Sequence, residues 1–360
     1  MFYFGMMSSS KRILFAPLDW GLGHATRCMP LIDRALALGH VPVIAANGRG
    51  AALLQEQYPN LEHCDFPGVA VKYGKHAAFD TLLIGPNLLR GVRHEHVLLE
   101  ALVEKHQIDM VLSDNRYGAW SKRVPSVFMS HQLAPLPPKS LIFMRPSLQW
   151  LLKRWLRPFN YVLVPDFEED FGSLAGELSH AWPDKRLRYL GPLSRLQPQP
   201  KSAGGYPLLV VLSGPEPQRT MFERLLRQQL RYFDQPALLV QGKPGPPFEE
   251  QDGQLHLVNT LPPEALALAI QQAELVVARS GYSTVMDLWR LGGKACFVPT
   301  PGQTEQWYLA TRLAEKRISS YQHQADFNIA RAWEESAHFD GFRPQAEGEG
   351  LMHWDEILSS

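Results

Sequence analysis

The sequence predicts an α/β protein made of two doubly wound parallel-sheet domains, and three observations predict it. The chain has 360 residues, more than one core usually organises, since single cores stop growing at roughly 250–300 residues. Short apolar runs alternate with longer helical patterns, the rhythm of βαβ crossovers and parallel strands. The rhythm pauses at QPQPKSAGGYP, the most linker-like stretch of the chain, and then restarts. The boundary is expected near 190 to 206, with 1–195 as one domain and 196–360 as the other, leaving open that the last helix packs back on the first domain.

In the first half, KRILFAP (11 to 17) reads as a buried strand, DWGLGH as a loop and HATRCMPLIDRALALG as a helix. VPVIAA is the next strand, followed by a helix over Arg49 to Tyr58, a strand at LEHCDF, a long helix from Asn87 to His106, and strands at IDMVLSD and SVFMSH. NYVLVPD (160 to 166) is expected to be the last strand of this half. The second half reads as PLLVVLSG, a helix over Gln218 to Phe233, PALLVQG, LHLVNTL, a helix over Pro263 to Ala273, LVVARSG, a helix over Thr284 to Leu291, ACFVPTPG, and a helix over Glu305 to Lys316. The halves share a rhythm but no repeated sequence. Doubly wound sheets bind ligands beyond the carboxyl ends of their strands, so two such units are expected to face one another across a cleft.

Composition narrows the function. Apolar residues at 45% and charged residues at 20% describe a chain folded throughout. Lys+Arg 36 balances Asp+Glu 36, which argues against a nucleic-acid partner. Cys28, Cys64 and Cys296 are scattered through apolar segments and read as small buried side chains, neither a disulfide framework nor a metal site. A reducing cytoplasm is the expected location. The leading MFYFGMM is too short for a signal or a spanning helix and reads as a frayed leader.

Four segments carry chemistry. In DWGLGHATR, Gly21 and Gly23 let a diphosphate or acidic acceptor approach the amides at a helix start, although a ligand-free tight turn has the same pattern. His24 at that start is expected to be a neutral imidazole fit for a general base, or else a capping residue. Asp19, Asp114 and His131 are its rivals, since each follows a strand of the first half. In LVVARSGYSTVMD, a strand runs into Arg279, Ser280 and Gly281, and a helix opens near Ser283 and Thr284, so amides and hydroxyls converge where a pyrophosphate fits. Asp287, one turn on, would take ribose hydroxyls. Gln303 and Gln306 in PTPGQTEQ suit neutral sugar hydroxyls. In LSGPEPQR, Ser213 and Gly214 are further phosphate candidates beside Arg219. Finally, PKSLIFMRPSLQWLLKRWLRPF reads as a core-packed helix with a solvated basic face, with docking on an anionic bilayer as the alternative.

The stretch VVARSGYSTVMDLWRLGGKACFVPTPGQTEQWYLATRLAE resembles the donor-binding region of the MurG-type glycosyltransferases, and GLGH resembles that family's Gly-rich loop. SDNRYG, SHQL and VPD resemble a further bacterial branch of the same superfamily. The resemblance implies a GT-B fold of two Rossmann-like domains and an inverting displacement without a required metal or cofactor. It places Ser280, Gly281, Tyr282, Ser283 and Thr284 at the diphosphate and sugar. It puts Asp287 on the ribose where the family usually has Glu, Gln303 and Gln306 on the sugar, and the uracil edge against backbone near Thr260 and Leu261. SGPEPQ stands in place of the family's glycine- and serine-rich loop, and Thr304-Glu305 in place of a more basic pair, which leaves the donor sugar open. The expected activity is transfer of a sugar, N-acetylglucosamine first, from a UDP-sugar to a glycan or lipid-linked acceptor. A lipid-linked acceptor would place the protein at the inner face of the membrane. A UDP-sugar 2-epimerase and a non-catalytic nucleotide-sugar-binding protein are the other readings.

Overall fold

The computed structural model describes residues 10–68, 86–137, 139–169, 172–180, 182–200, 204–243, 245–343 and 351–360; the apolar leader lies outside these residues. The chain divides into two compact units. The first holds the described residues up to Leu193 together with the C-terminal helix, and the second holds the described residues from Ser194 onward to 343.

The first unit is a sheet of strands β1 (Arg12–Pro17), β2 (Val41–Ala46), β3 (Glu62–Asp65), β4 (Met110–Asp114), β5 (Ser126–Met129), β6 (Tyr161–Val164) and β7 (Leu187–Tyr189). Their order is β3-β2-β1-β4-β5-β6-β7, and every pairing is parallel. Helices α1 (Leu22–Ala37), α2 (Gly48–Gln57), α3 (Pro86–Lys105) and α4 (Arg145–Trp155) connect them. β4 and β5 are buried along their whole length, which is why they read as unbroken apolar runs and not as alternating ones. The order reverses between β1 and β4, so the loops after these two strands flank the switch point where such sheets place ligands.

The second unit has strands β8 (Leu208–Val211), β9 (Ala237–Val240), β10 (Glu249–Asp252), β11 (Leu255–Val258), β12 (Leu275–Ala278), β13 (Ala295–Phe297) and β14 (Ser320–Tyr321). They lie in the order β10-β11-β9-β8-β12-β13-β14, with β10 alone antiparallel. Helices α5 (Gln218–Leu230), α6 (Pro263–Gln272), α7 (Tyr282–Leu291), α8 (Thr304–Glu315) and α9 (Ile329–Glu335) accompany them. Phe222, Leu226 and Leu230 of α5 pack with Leu208, Val210 and Leu239 at the centre of its core.

The structure departs from the sequence reading at the sheet margins. NYVLVPD is not the last strand of the first sheet, because the half-buried three-residue β7 pairs beyond it. The charged hairpin strand β10, the two-residue β14 and α9 are further additions. Edge strands are short and polar, which guards against pairing with other chains and removes the alternation that reveals inner strands.

The C-terminal helix α10 (Leu351–Ser359) belongs to the first unit. Trp354 is completely buried, meets the Phe15 ring edge-on at 6.2 Å and donates its indole N–H to the Leu31 carbonyl at 3.2 Å. Asp355 takes the Arg34 guanidinium through both oxygens. Trp354→Ala is expected to cost about 3–5 kcal/mol in urea unfolding and to open α10 to limited proteolysis.

Candidate active site

The turn from β1 into α1 begins the site. Gly21 has φ +150 and caps α1 without any side-chain hydrogen bond. Side chains rarely adopt that conformation, so a glycine belongs here, and it offers the first-turn amides of α1 no side-chain cap. Nothing lies within 4 Å of where a Gly21 Cβ would project.

His24 and Arg27, three residues apart, share one face of α1, and both reach Asp114 at the end of β4. Asp114 is fully buried. Arg27 donates to both of its oxygens, through Nε to Oδ2 at 2.8 Å and through Nη2 to Oδ1, while His24 Nδ1 lies 3.0 Å from Oδ2. Burial alone would raise the Asp114 carboxyl, but Arg27 and His24 overcome it and hold it below the usual carboxylate range. The same Nδ1 lies 2.9 Å from Arg27 Nη2, so it stands between a donor and an acceptor; with its proton directed to the ionised Asp114, Nε2 is the proton acceptor. Burial, and then the Arg27 charge, lower the His24 pKa despite Asp114, so the imidazole is neutral near pH 7. With 17% of its side chain exposed, His24 remains reachable.

His131 is 6% exposed, and its Nδ1 lies 3.0 Å from Arg27 Nη1. With Nδ1 facing the guanidinium, it braces Arg27. Asp19 does not join this network. It accepts the Gly50 amide and stands where a Gly48 side chain would be, at the start of α2, and Gly48 has φ +61. Arg27 is a site residue that the sequence pattern signals only indirectly, as a charge among Ala25, Cys28 and Leu31 on a buried helix face that requires a buried partner.

SDNRYG and VPD hold the surrounding loops. Arg116, 1% exposed, donates to Glu95 and to the carbonyls of Phe66 and Pro67. Asp166 accepts the hydroxyls of Ser173 and Ser179 and the amides of Phe167, Leu174 and Ala175. In the basic segment Leu148, Leu152 and Leu156 are buried, as a core-packed helix requires, while Ile142, Phe143 and Trp150 are exposed beside Lys153 and Arg154.

In the second unit the candidate donor residues all follow strands at the carboxyl edge. Ser213 and Gly214 follow β8, Thr260 and Leu261 follow β11, Arg279 to Thr284 follow β12, and Gln303 and Gln306 follow β13. Gly281 caps α7 and, being a glycine, offers no side-chain cap, and nothing lies within 4 Å of its missing Cβ. Ser283, Thr284 and Gln303 are partly exposed there, and Ser213 and Gly214 are exposed. Tyr282 is buried, and the Thr260 amide is taken by Asn259 Oδ1 at 2.9 Å.

Three side chains read as donor ligands turn inward. Arg279 is 1% exposed and donates to the Val298 and Gln218 carbonyls and to Gln324, with its guanidinium 4.5 Å from the Phe222 ring centre. Desolvation pushes it down to about 10, the mark of a buried guanidinium and not of a solvent-facing anion clamp. Ser280 is fully buried and gives its hydroxyl to the Gln306 carbonyl at 2.7 Å. Gln306 accepts the Thr300 amide at 2.7 Å and donates to Gln303 Oε1 at 2.5 Å. Arg219 likewise points into Glu216 and Glu223. These groups shape the loops, and the ligand surface is left to backbone and to the outer hydroxyls and amides. Thr300, which the sequence reading passed over, is 2% exposed with its hydroxyl unpartnered among the described residues, 3.6 Å from where a Gly214 Cβ would be.

Asp287 accepts the Ser194 hydroxyl at 2.5 Å, and burial pushes its carboxyl up to about 6. A folded-state value above the unfolded one means that the native protein binds the proton more tightly. Stability from this group is therefore full below about pH 4 and lost as pH rises through about 6. Asp287→Asn is expected to gain up to ~2 kcal/mol near pH 7–8, a gain that closes toward pH 4 in urea titrations.

Residues 228–337 match the glycosyltransferase family 28 C-terminal domain, a span that includes the α7 turn and the Gln303 loop. No curated protein matches the chain in sequence. Among solved structures, the chain is similar to the glycosyltransferase of kitacinnamycin, with TM-score 0.64 and 18% identity over 92% of this chain and 91% of that one. It is similar to a calicheamicin glycosyltransferase, with TM-score 0.65 and 16% identity over 97% of this chain and 98% of that one. It is also similar to MurG of Acinetobacter baumannii, with TM-score 0.58 and 13% identity over 97% and 99%. At these identities the likeness is one of fold, and it extends over nearly the whole of each chain. The chain thus has the GT-B fold of these glycosyltransferases, and within its second unit residues 228–337 match the glycosyltransferase family 28 C-terminal domain.

Proposed function

We propose that the protein is an inverting, metal-independent transferase that moves a sugar, N-acetylglucosamine first, from a UDP-sugar to an acceptor hydroxyl. The observation that carries the reading is the pairing of a neutral, reachable His24 with the buried carboxylate of Asp114. In this scheme the acceptor proton passes to His24 Nε2 as the acceptor oxygen attacks the anomeric carbon. The bond from that carbon to the diphosphate breaks, and UDP leaves. The α7 amides, with Ser283 and Thr284, meet the charge on the departing diphosphate, and Asp287 and Gln303 contact ribose and sugar.

The exposed Ile142, Phe143 and Trp150 beside Lys153 and Arg154 support a lipid-linked acceptor and work at the inner, cytoplasmic face of a membrane. Among the described residues no helix is long and apolar enough to cross a membrane.

The test is incubation with UDP-N-acetylglucosamine with and without lipid-linked or glycan acceptors. UDP release that depends on acceptor is the expected result; an epimerised donor, or binding without turnover, overturns the reading. His24→Ala is expected to lower kcat by about 10²–10⁴ with donor KM little changed. Asp114→Asn should lower kcat comparably by reversing the His24 tautomer. The acid limb of kcat/KM should fall below the ordinary histidine value, because burial lowers the His24 pKa.

A further inference from the structure

Among the described residues, Glu62, Cys64 and His106 form the one group of three or more histidine, cysteine and carboxylate side chains whose potential ligand atoms all lie within 4.8 Å of one another. The group lies on the edge strand β3 and on the loop between α3 and β4. Glu62 and Cys64 are two apart on a strand and share a face. His106 is brought to them by the packing of α3, through Leu99 and Val103, on the core that Cys64 also touches.

We propose that this cluster binds a soft divalent cation of the zinc class, with Cys64 Sγ and His106 Nε2 as ligands and Glu62 as the group that orients the histidine. Sγ and Nε2 are 3.4 Å apart, close to the ~3.5 Å that separates a sulfur and a nitrogen on one tetrahedral zinc. The other ring nitrogen, Nδ1, lies 2.5 Å from Glu62 Oε1. That contact puts the proton on Nδ1 and the Nε2 lone pair toward the sulfur, the carboxylate–histidine–metal arrangement that fixes tautomer and ring orientation.

The buttress is itself anchored. Arg12 holds Glu62 Oε2 at 2.5 Å and donates its Nε–H to the His106 carbonyl at 2.8 Å. On binding, the ion replaces the thiol proton, which leaves to solvent, and water fills the remaining positions. The thiolate and the Glu62 carboxylate together offset part of the charge that the ion adds beside Arg12 and Lys105. The ion would tie β3 to the loop that enters β4, two strands that have β2 and β1 between them in the sheet.

The test uses the full-length protein after chelator treatment, titrated calorimetrically with Zn²⁺ and spectroscopically with Co²⁺. One ion per chain, a thiolate-to-cobalt charge-transfer band and a melting temperature raised by a few degrees are expected. Cys64→Ser and His106→Ala should lose the band and the bound ion, while Glu62→Gln should weaken affinity by about 10–100-fold and keep the band. Absence of the band in the unaltered protein overturns the proposal whether or not a variant folds. So does Zn²⁺ binding that Cys64→Ser leaves unchanged. UDP-sugar turnover is read separately, so failure here leaves the transferase reading standing.

Discussion

A carboxylate with no solvent must be neutralised or it will not stay charged, and this constraint at Asp114 organises the first unit's chemistry. Asp114 ends a strand buried on both faces, so water cannot serve it. Arg27 serves it from α1, and the same helix turn delivers His24 to the remaining lone pair. The ion pair is thus also the device that holds the His24 ring, whose Nδ1 lies within 3.0 Å of both partners. An isolated histidine at that helix start would have neither a fixed tautomer nor a fixed ring plane. His131 completes the arrangement by bracing Arg27 from the neighbouring strand's loop.

The second unit solves a different problem with neutral groups. At its α7 turn Gly281 has no side chain, and nothing lies within 4 Å of where one would begin. The loops around that turn are held from behind: Arg279 bonds three elements at once, Ser280 binds the Gln306 carbonyl, and Gln306 holds the Thr300 amide. Preorganised amides need such support, because an amide that has to reorient on ligand arrival loses much of its electrostatic worth. Asp287 is the exception, a carboxyl kept partly protonated by burial beside Ser194. Keeping that carboxyl buried costs stability at neutral pH.

Much of this was legible in the sequence for a simple reason. Inner strands such as RILFAP and MVLSD are buried on both faces, and the helices between them repeat at a helical period, so one-dimensional pattern reports three-dimensional burial. The edge strands β7, β10 and β14 were not legible, since half-solvated pairing imposes no apolar pattern. Among site residues, His24 and the Gly281 turn stood out by position in strand-loop-helix units. Arg279, Ser280 and Gln306 stood out equally, and their side chains point the other way.

Spacing along the chain therefore determined the α/β class, the two-unit plan and the glycine turns from which helices start, because these follow from local periodicity and glycine placement. Only the tertiary structure decided which polar side chains stay at the surface and which face the interior. It also decided that Arg27 meets Asp114 across 87 positions and Cys64 meets His106 across 42. Such pairings are set by where helices dock on a sheet, and the residue types on one segment hold no record of the side chain that another segment will bring to them.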